Sequence, residues 1–141
     1  MLDAINPCQS LSDTPFKKTF DFETCTIEEL KSIHLVFEST ICKSAILNGY
    51  AIYFDAYFTG AEHRVILQTG PEHPVTHWYQ TRLFLPEPIG VNKGQVVHAF
   101  LKMQANNEQT YNTELTVQLR DQGIQCTLTY DMKDAEYRGC Y

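Results

Sequence analysis

An all-β fold is what this 141-residue chain predicts. Apolar residues recur at every second position along most of its length, the spacing that sets one face of a strand in a core and the other in water. Glycine, asparagine, aspartate and proline gather in short clusters between those runs. Only one stretch, Thr26-Ile27-Glu28-Glu29, has the form of a helix start.

Residues 1–16 read as an extended lead-in, polar, with Pro7 and Pro15 opposed to regular helix. Residues 19–22 alternate into a short strand. Thr26 is then an N-cap with Glu29 three positions on, which predicts one helical turn through Lys31. Strands are expected over residues 34–39 and 50–58. In the second, Tyr50, Ile52, Phe54, Ala56 and Phe58 share a face, and Tyr53 and Tyr57 on the opposite face predict cover on both sides. Residues 64–69, 78–85 and 95–104 come next. The clearest alternation is Tyr111–Leu119, with Tyr111, Thr113, Leu115, Val117 and Leu119 inward and Asn112, Glu114, Thr116 and Gln118 outward. Residues 124–130 complete the set. Turns fall at Asn48-Gly49, Gly60, Gly70-Pro71, Asn92-Lys93-Gly94, Asn106-Asn107 and Asp121-Gln122-Gly123. Seven or so strands joined so tightly make a sandwich or a barrel. A barrel removes exposed edges from so apolar a set, although periodicity alone does not separate the two.

Length suits one domain, with residues 17–141 following the lead-in. No apolar run approaches the ~18–20 residues of a membrane span. Met1-Leu2-Asp3-Ala4 lacks the basic and apolar regions of a secretory signal. A net charge of −6 and a pI near 5.2 argue against direct nucleic-acid binding, which needs cations lined along phosphates. The same charge suits cationic partners such as arginine-rich tails, and it also serves plain solubility. Five cysteines without a Cys-x-x-Cys signal neither a zinc site nor a redox pair, so reduced thiols of a cytosolic or nuclear protein are expected. His73 and His77 are four apart, but Pro74 between them denies the helix on which they would share a metal.

One run stands out. Thr76-His77-Trp78-Tyr79-Gln80 holds the only tryptophan, beside a histidine, after a turn marked by Pro71 and Pro74. With Pro74 it resembles the Thr-His-Trp loop of protein arginine N-methyltransferases, and the longer His-Trp-Tyr-Gln form is similar to the coactivator-associated, histone-methylating branch. Thr19-Phe20-Asp21-Phe22, Gly49-x-Ala51-x-x-Phe54-Asp55-x-x-Phe58-x-Gly60, Leu67-x-Thr69-x-Pro71, Gly94 and Thr110-Tyr111 extend the resemblance over roughly residues 17–138. It implies a single β-barrel of about 7–10 mainly antiparallel strands, the C-terminal half of such an enzyme.

Departures from the family pattern limit what this stretch does alone. It has no glycine-rich Asp-x-Gly-x-Gly to receive S-adenosylmethionine, no two-glutamate loop for the guanidinium and no helical dimerisation arm. Glu28-Glu29 is no substitute, because adjacent residues on a helical turn diverge. Near the end, Tyr137-Arg138 fits the close relatives but Gly139 stands where a tyrosine is common. The resemblance assigns His77 as the catalytic candidate, with Thr76, Trp78 and Tyr79 for substrate binding. It implies S-adenosylmethionine for the complete enzyme but not for this chain, arginine-containing protein or histone tails as partners, the methyl-donor-binding domain as a second, and nuclear and cytoplasmic location. Asp55, between aromatics, is expected to find a backbone or arginine partner. A catalysis-free reading stays open: a free-standing barrel that binds a protein or peptide, or itself, through exposed apolar surface.

Overall fold

Alternate residues of four strands meet in rungs, and those rungs make the largest sheet of the protein. A computed structural model describes residues 2–60 and 62–134. Nine strands occur among them: β1 (Leu2–Asp3), β2 (Ser32–Thr40), β3 (Ala45–Ile52), β4 (Asp55–Thr59), β5 (Arg64–Gln68), β6 (Gln80–Val91), β7 (Val96–Ala105), β8 (Tyr111–Leu119) and β9 (Ile124–Asp131). One α-helix, α1 (Ile27–Lys31), precedes β2. The all-β expectation holds, as does the single helical turn near the N-terminus. The strands pair as three sheets, in the orders β1-β6-β3, β2-β7-β8-β9 and β4-β5.

Two compact units divide the chain. The larger comprises Leu11–Asn48 and Leu85–Asp134. Its antiparallel sheet aligns Leu35, Leu101, Leu115 and Leu128 in one rung and Phe37, Ala99, Val117 and Cys126 in the next. Val97, Ala99, Leu101, Leu115, Val117 and Leu119 are buried there. The opposite face is polar: His98 Nδ1 meets Glu38 Oε1 at 2.9 Å, and the Thr116 and Thr127 hydroxyls bond at 2.8 Å. In the capping box, Thr26 Oγ1 accepts from Glu29 N and Glu29 Oε2 accepts from Thr26 N. The Tyr111 hydroxyl donates to the Leu30 carbonyl at 2.7 Å, satisfying one acceptor at the helix end.

Among the described residues the smaller unit comprises 2–10, 49–60 and 62–84. Few of its apolar side chains are buried, Leu83 being one, while Phe54, Tyr57, Phe58, Val65, Ile66, Val75 and Trp78 are exposed.

Several sequence expectations are corrected. Residues 19–22 form no strand, because the Asp21 carboxylate and carbonyl accept from Glu23 N, Thr24 N and Cys25 N and close a turn. Asn48-Gly49 is no turn but lies inside β3, where glycine serves the close approach of β6. The expected strand 50–58 is two, because Tyr53 and Phe54 leave the ladder to brace a loop. The lead-in is not uniformly extended: Pro7 opens a 3-10 turn, Pro7–Gln9, capped by Asn6. β6 begins at Gln80, not Trp78, and runs on through Pro86 and Pro88 to Val91. Those prolines lie beyond the two positions paired with β1, where the missing N–H leaves no ladder bond unmade on that flank. Tyr137, Arg138 and Gly139 lie outside the described residues.

Candidate functional site

Loop 70–79 carries the candidate residues, and its two turns follow from its sequence. His73 N donates to Gly70 O at 3.1 Å across Pro71-Glu72, and Tyr79 N donates to Thr76 O at 3.2 Å across His77-Trp78. His77 and Trp78 are therefore the two corner residues of a β-turn, the positions whose side chains point most freely outward. Tyr79 closes that turn at φ 49, a left-handed conformation that costs a tyrosine roughly 1–2 kcal/mol. With His77 and Trp78 in the turn and Tyr79 left-handed, the strand starts two residues later than the alternation predicts.

Both corner side chains reach solvent. Trp78 is 55% exposed, with its indole and the Phe54 ring in a T-shaped pair at 5.9 Å and 80°. His77 is exposed, and Thr76 and Tyr79 are half-buried. The loop brings Thr76, His77, Trp78 and Tyr79 together on four successive positions. Thr76 takes part through its carbonyl, while its Oγ1 is buried without a hydrogen-bond partner. Asp55 Oδ1 is likewise buried and accepts no hydrogen bond, so the partner expected for it is not found at that oxygen.

The base of the loop is polar, and sequence reasoning missed it. Thr69 and Gln80, 1% and 4% exposed, flank the loop. Thr69 Oγ1 donates to Phe54 O at 2.6 Å and accepts from Phe54 N at 3.1 Å. Gln80 Nε2 donates to Thr69 O at 2.7 Å, and Gln80 Oε1 accepts from Ile5 N at 2.8 Å. Gly70 lets the Tyr53 ring lie against its backbone, where an added Cβ would meet Cε2 at 2.9 Å. Burial there, reinforced by Glu72 and then Asp55, raises the Tyr53 phenol above its ordinary range. One signal was available: a threonine and a glutamine just outside a loop, at strand positions that otherwise hold apolar residues.

Tyr57 is exposed with the Arg64 guanidinium 5.1 Å over its ring. It and Tyr53 do not share a strand face. The first-turn N–H of Glu29 on α1 is already taken by Thr26 Oγ1 and so is not free for an anionic ligand.

A family model described as the arginine methyltransferase oligomerization subdomain matches residues 1–123. The histone-arginine methyltransferase CARMER of Drosophila yakuba is 30% identical over 138 residues, which cover 88% of this chain and 26% of the relative. The probable histone-arginine methyltransferase CARMER of Drosophila melanogaster matches with the same figures. This chain thus spans about a quarter of the length of these relatives. Among solved structures, a chain of the Trypanosoma brucei PRMT1 enzyme-prozyme heterotetrameric complex with AdoHcy shares the fold at a TM-score of 0.82 and 23% identity. The match covers 92% of this chain and 42% of that one.

Proposed function

The chain belongs to the arginine methyltransferase family, and from that premise we propose that it is the C-terminal substrate-side barrel, residues 17–141, of a type I protein (histone) arginine N-methyltransferase. Methyl transfer from a sulfonium to a guanidinium nitrogen joins two cations, so the site must supply negative charge and hold attacker and methyl in line. Carboxylates of the methyl-donor-binding domain serve the first need. Loop 70–79 serves the second: His77 pairs with an acidic or phenolic group across the cleft, and Trp78 and Tyr79 wall the arginine-bearing tail, with Thr76 closing the turn. The observation that carries this reading is the β-turn with an imidazole and an indole at its two open corners. The histone-directed names of the relatives support action in the nucleus, with a cytoplasmic pool as the wider expectation.

The isolated chain neither binds S-adenosylmethionine nor methylates. Titration calorimetry with the donor, expected flat, tests this, and saturable heat would refute it. In a complete enzyme containing this barrel, His77→Ala lowers kcat with the melting temperature unchanged; an unaltered rate would remove His77 from the site.

The exposed apolar set of β4 and β5 favours one further reading, a module that binds protein through that surface without catalysis. The mass of the endogenous polypeptide separates the two. A product several times larger, with a methyl-donor motif upstream, supports the enzyme part, and one of about this chain's length supports the module.

A further inference from the structure

The geometry points to Gln80 as the positioning residue of the His77-Trp78 turn, one carboxamide clamping the loop base to the N-terminal segment. This rests on the reading above only in taking the turn as the functional element.

Loop 70–79 follows Thr69, the residue after β5, and enters β6 at Gln80, so those two residues are its stems. A side-chain amide joins them directly, Gln80 Nε2 to Thr69 O at 2.7 Å. The other end of the same amide accepts Ile5 N at 2.8 Å, and Arg82 Nη2 donates to Ala4 O at 3.0 Å. β1 adds ladder pairing, with Leu2 opposite Thr81 and Asp3 opposite Gln80. Residues 2–5 therefore lie along the stem through which the loop returns.

Thr69 passes the constraint upward. Its hydroxyl and N–H make three hydrogen bonds with the Phe54 backbone, and the Phe54 ring makes the T-shaped contact with the Trp78 indole. The route from Ile5 to Trp78 is thus Gln80, Thr69 and Phe54, each link a hydrogen bond or a ring contact. At 4% exposure water does not reach the Gln80 amide freely, so a lost partner is not replaced. Burial of a glutamine where β6 could have placed leucine is intelligible as a specification of loop geometry.

Trp78 is the only tryptophan, so its fluorescence reads the turn directly. In the 141-residue chain, Gln80→Met keeps the volume and removes both bonds. The expected result is a shifted Trp78 emission and an acrylamide quenching constant changed about twofold in the native state, as the loop base opens locally. Leu115→Ala, a destabilising change in the other unit, should lower the unfolding midpoint and leave native Trp78 quenching as it was. Gln80→Glu supplies the rescue, because a protonated carboxyl offers one donor and one acceptor, the two functions the amide uses toward Thr69 and Ile5. At about pH 4, just below the ordinary glutamate pKa of about 4.3, its Trp78 signal should move to the wild-type value as the carboxyl protonates.

The inference is overturned if Gln80→Met leaves native Trp78 emission and quenching unchanged, if Leu115→Ala moves them equally, or if Gln80→Glu behaves like Gln80→Met at that pH. Should Gln80→Met not fold, removal of residues 1–5 takes away the Ile5 link together with the Ala4–Arg82 bond and the β1 pairing, and it must still alter Trp78 quenching for the inference to stand. A Trp78 response to Gln80→Met alongside an inert His77→Ala in the complete enzyme would retain the clamp and refute the catalytic reading.

Discussion

Gly49→Ala is the sharpest test of how β3 and β6 meet. A Cβ at this position would fall on the Leu83 carbonyl oxygen and 2.9 Å from both Leu83 C and Phe84 Cα. Every one of these atoms is backbone, so no rotamer change relieves the clash. Overpacking commonly costs about 1–3 kcal/mol. Moving β6 away would also weaken ladder bonds that contribute about 1 kcal/mol each, which places this substitution at the upper end, about 3 kcal/mol. That is a change of roughly a hundredfold in the folding equilibrium constant. In urea it lowers the midpoint by about 1–2 M. Unfolding followed by Trp78 emission and far-ultraviolet circular dichroism measures it. Gly90→Ala on β6 is the control, since nothing lies within 4 Å of its added methyl. It should be neutral or stabilise by up to about 1 kcal/mol. A Gly49→Ala midpoint equal to that of the control would refute the close approach of the two strands.

Leu115→Ala, at a side chain 1% exposed in the rung Leu35-Leu101-Leu115-Leu128, should cost about 3 kcal/mol in the same urea assay. Val36→Ala on the exposed face of β2 should change it by less than about 0.5 kcal/mol. Gln109→Gly relieves a left-handed φ of 61 at an exposed turn and should raise stability by about 0.5–1 kcal/mol, seen as a higher melting temperature. Glu29 has its carboxyl held below the usual range, first by the Thr26 N–H and then by the Thr26 hydroxyl. Its contribution is full above the ordinary carboxylate pKa and lost as pH falls through the lowered folded value. The melting-temperature gap between wild type and Glu29→Ala should therefore be widest near neutrality and close in acid; a constant gap would exclude the capping carboxylate as its cause.

Strand periodicity is a local property, and it was read where one face is wet and one dry. β8 lies at the bounds predicted, and the Thr26-Glu29 capping box forms as its spacing implies. The candidate loop was legible from Pro71, Pro74 and the resemblance carried by Thr76-His77-Trp78, but its turn was not, because Trp78 was assigned to the strand that follows. Misreadings arose where a residue's reason lay far along the chain. Gly49 looked like a turn glycine, but the backbone it accommodates is at Leu83. Tyr53 and Phe54 continued an alternation that stops because Thr69 takes the Phe54 backbone.

By itself the order of residues determined the all-β class, the Thr26-Glu29 helical turn and the two faces of β8, since these depend on neighbours two to four positions apart. Which glutamine is buried, and that it ties Ile5 to Thr69 across 75 and 11 positions, was decided only by tertiary structure. A hydrogen bond between distant residues has no periodicity, and it exists only once the chain has brought its partners within 3 Å.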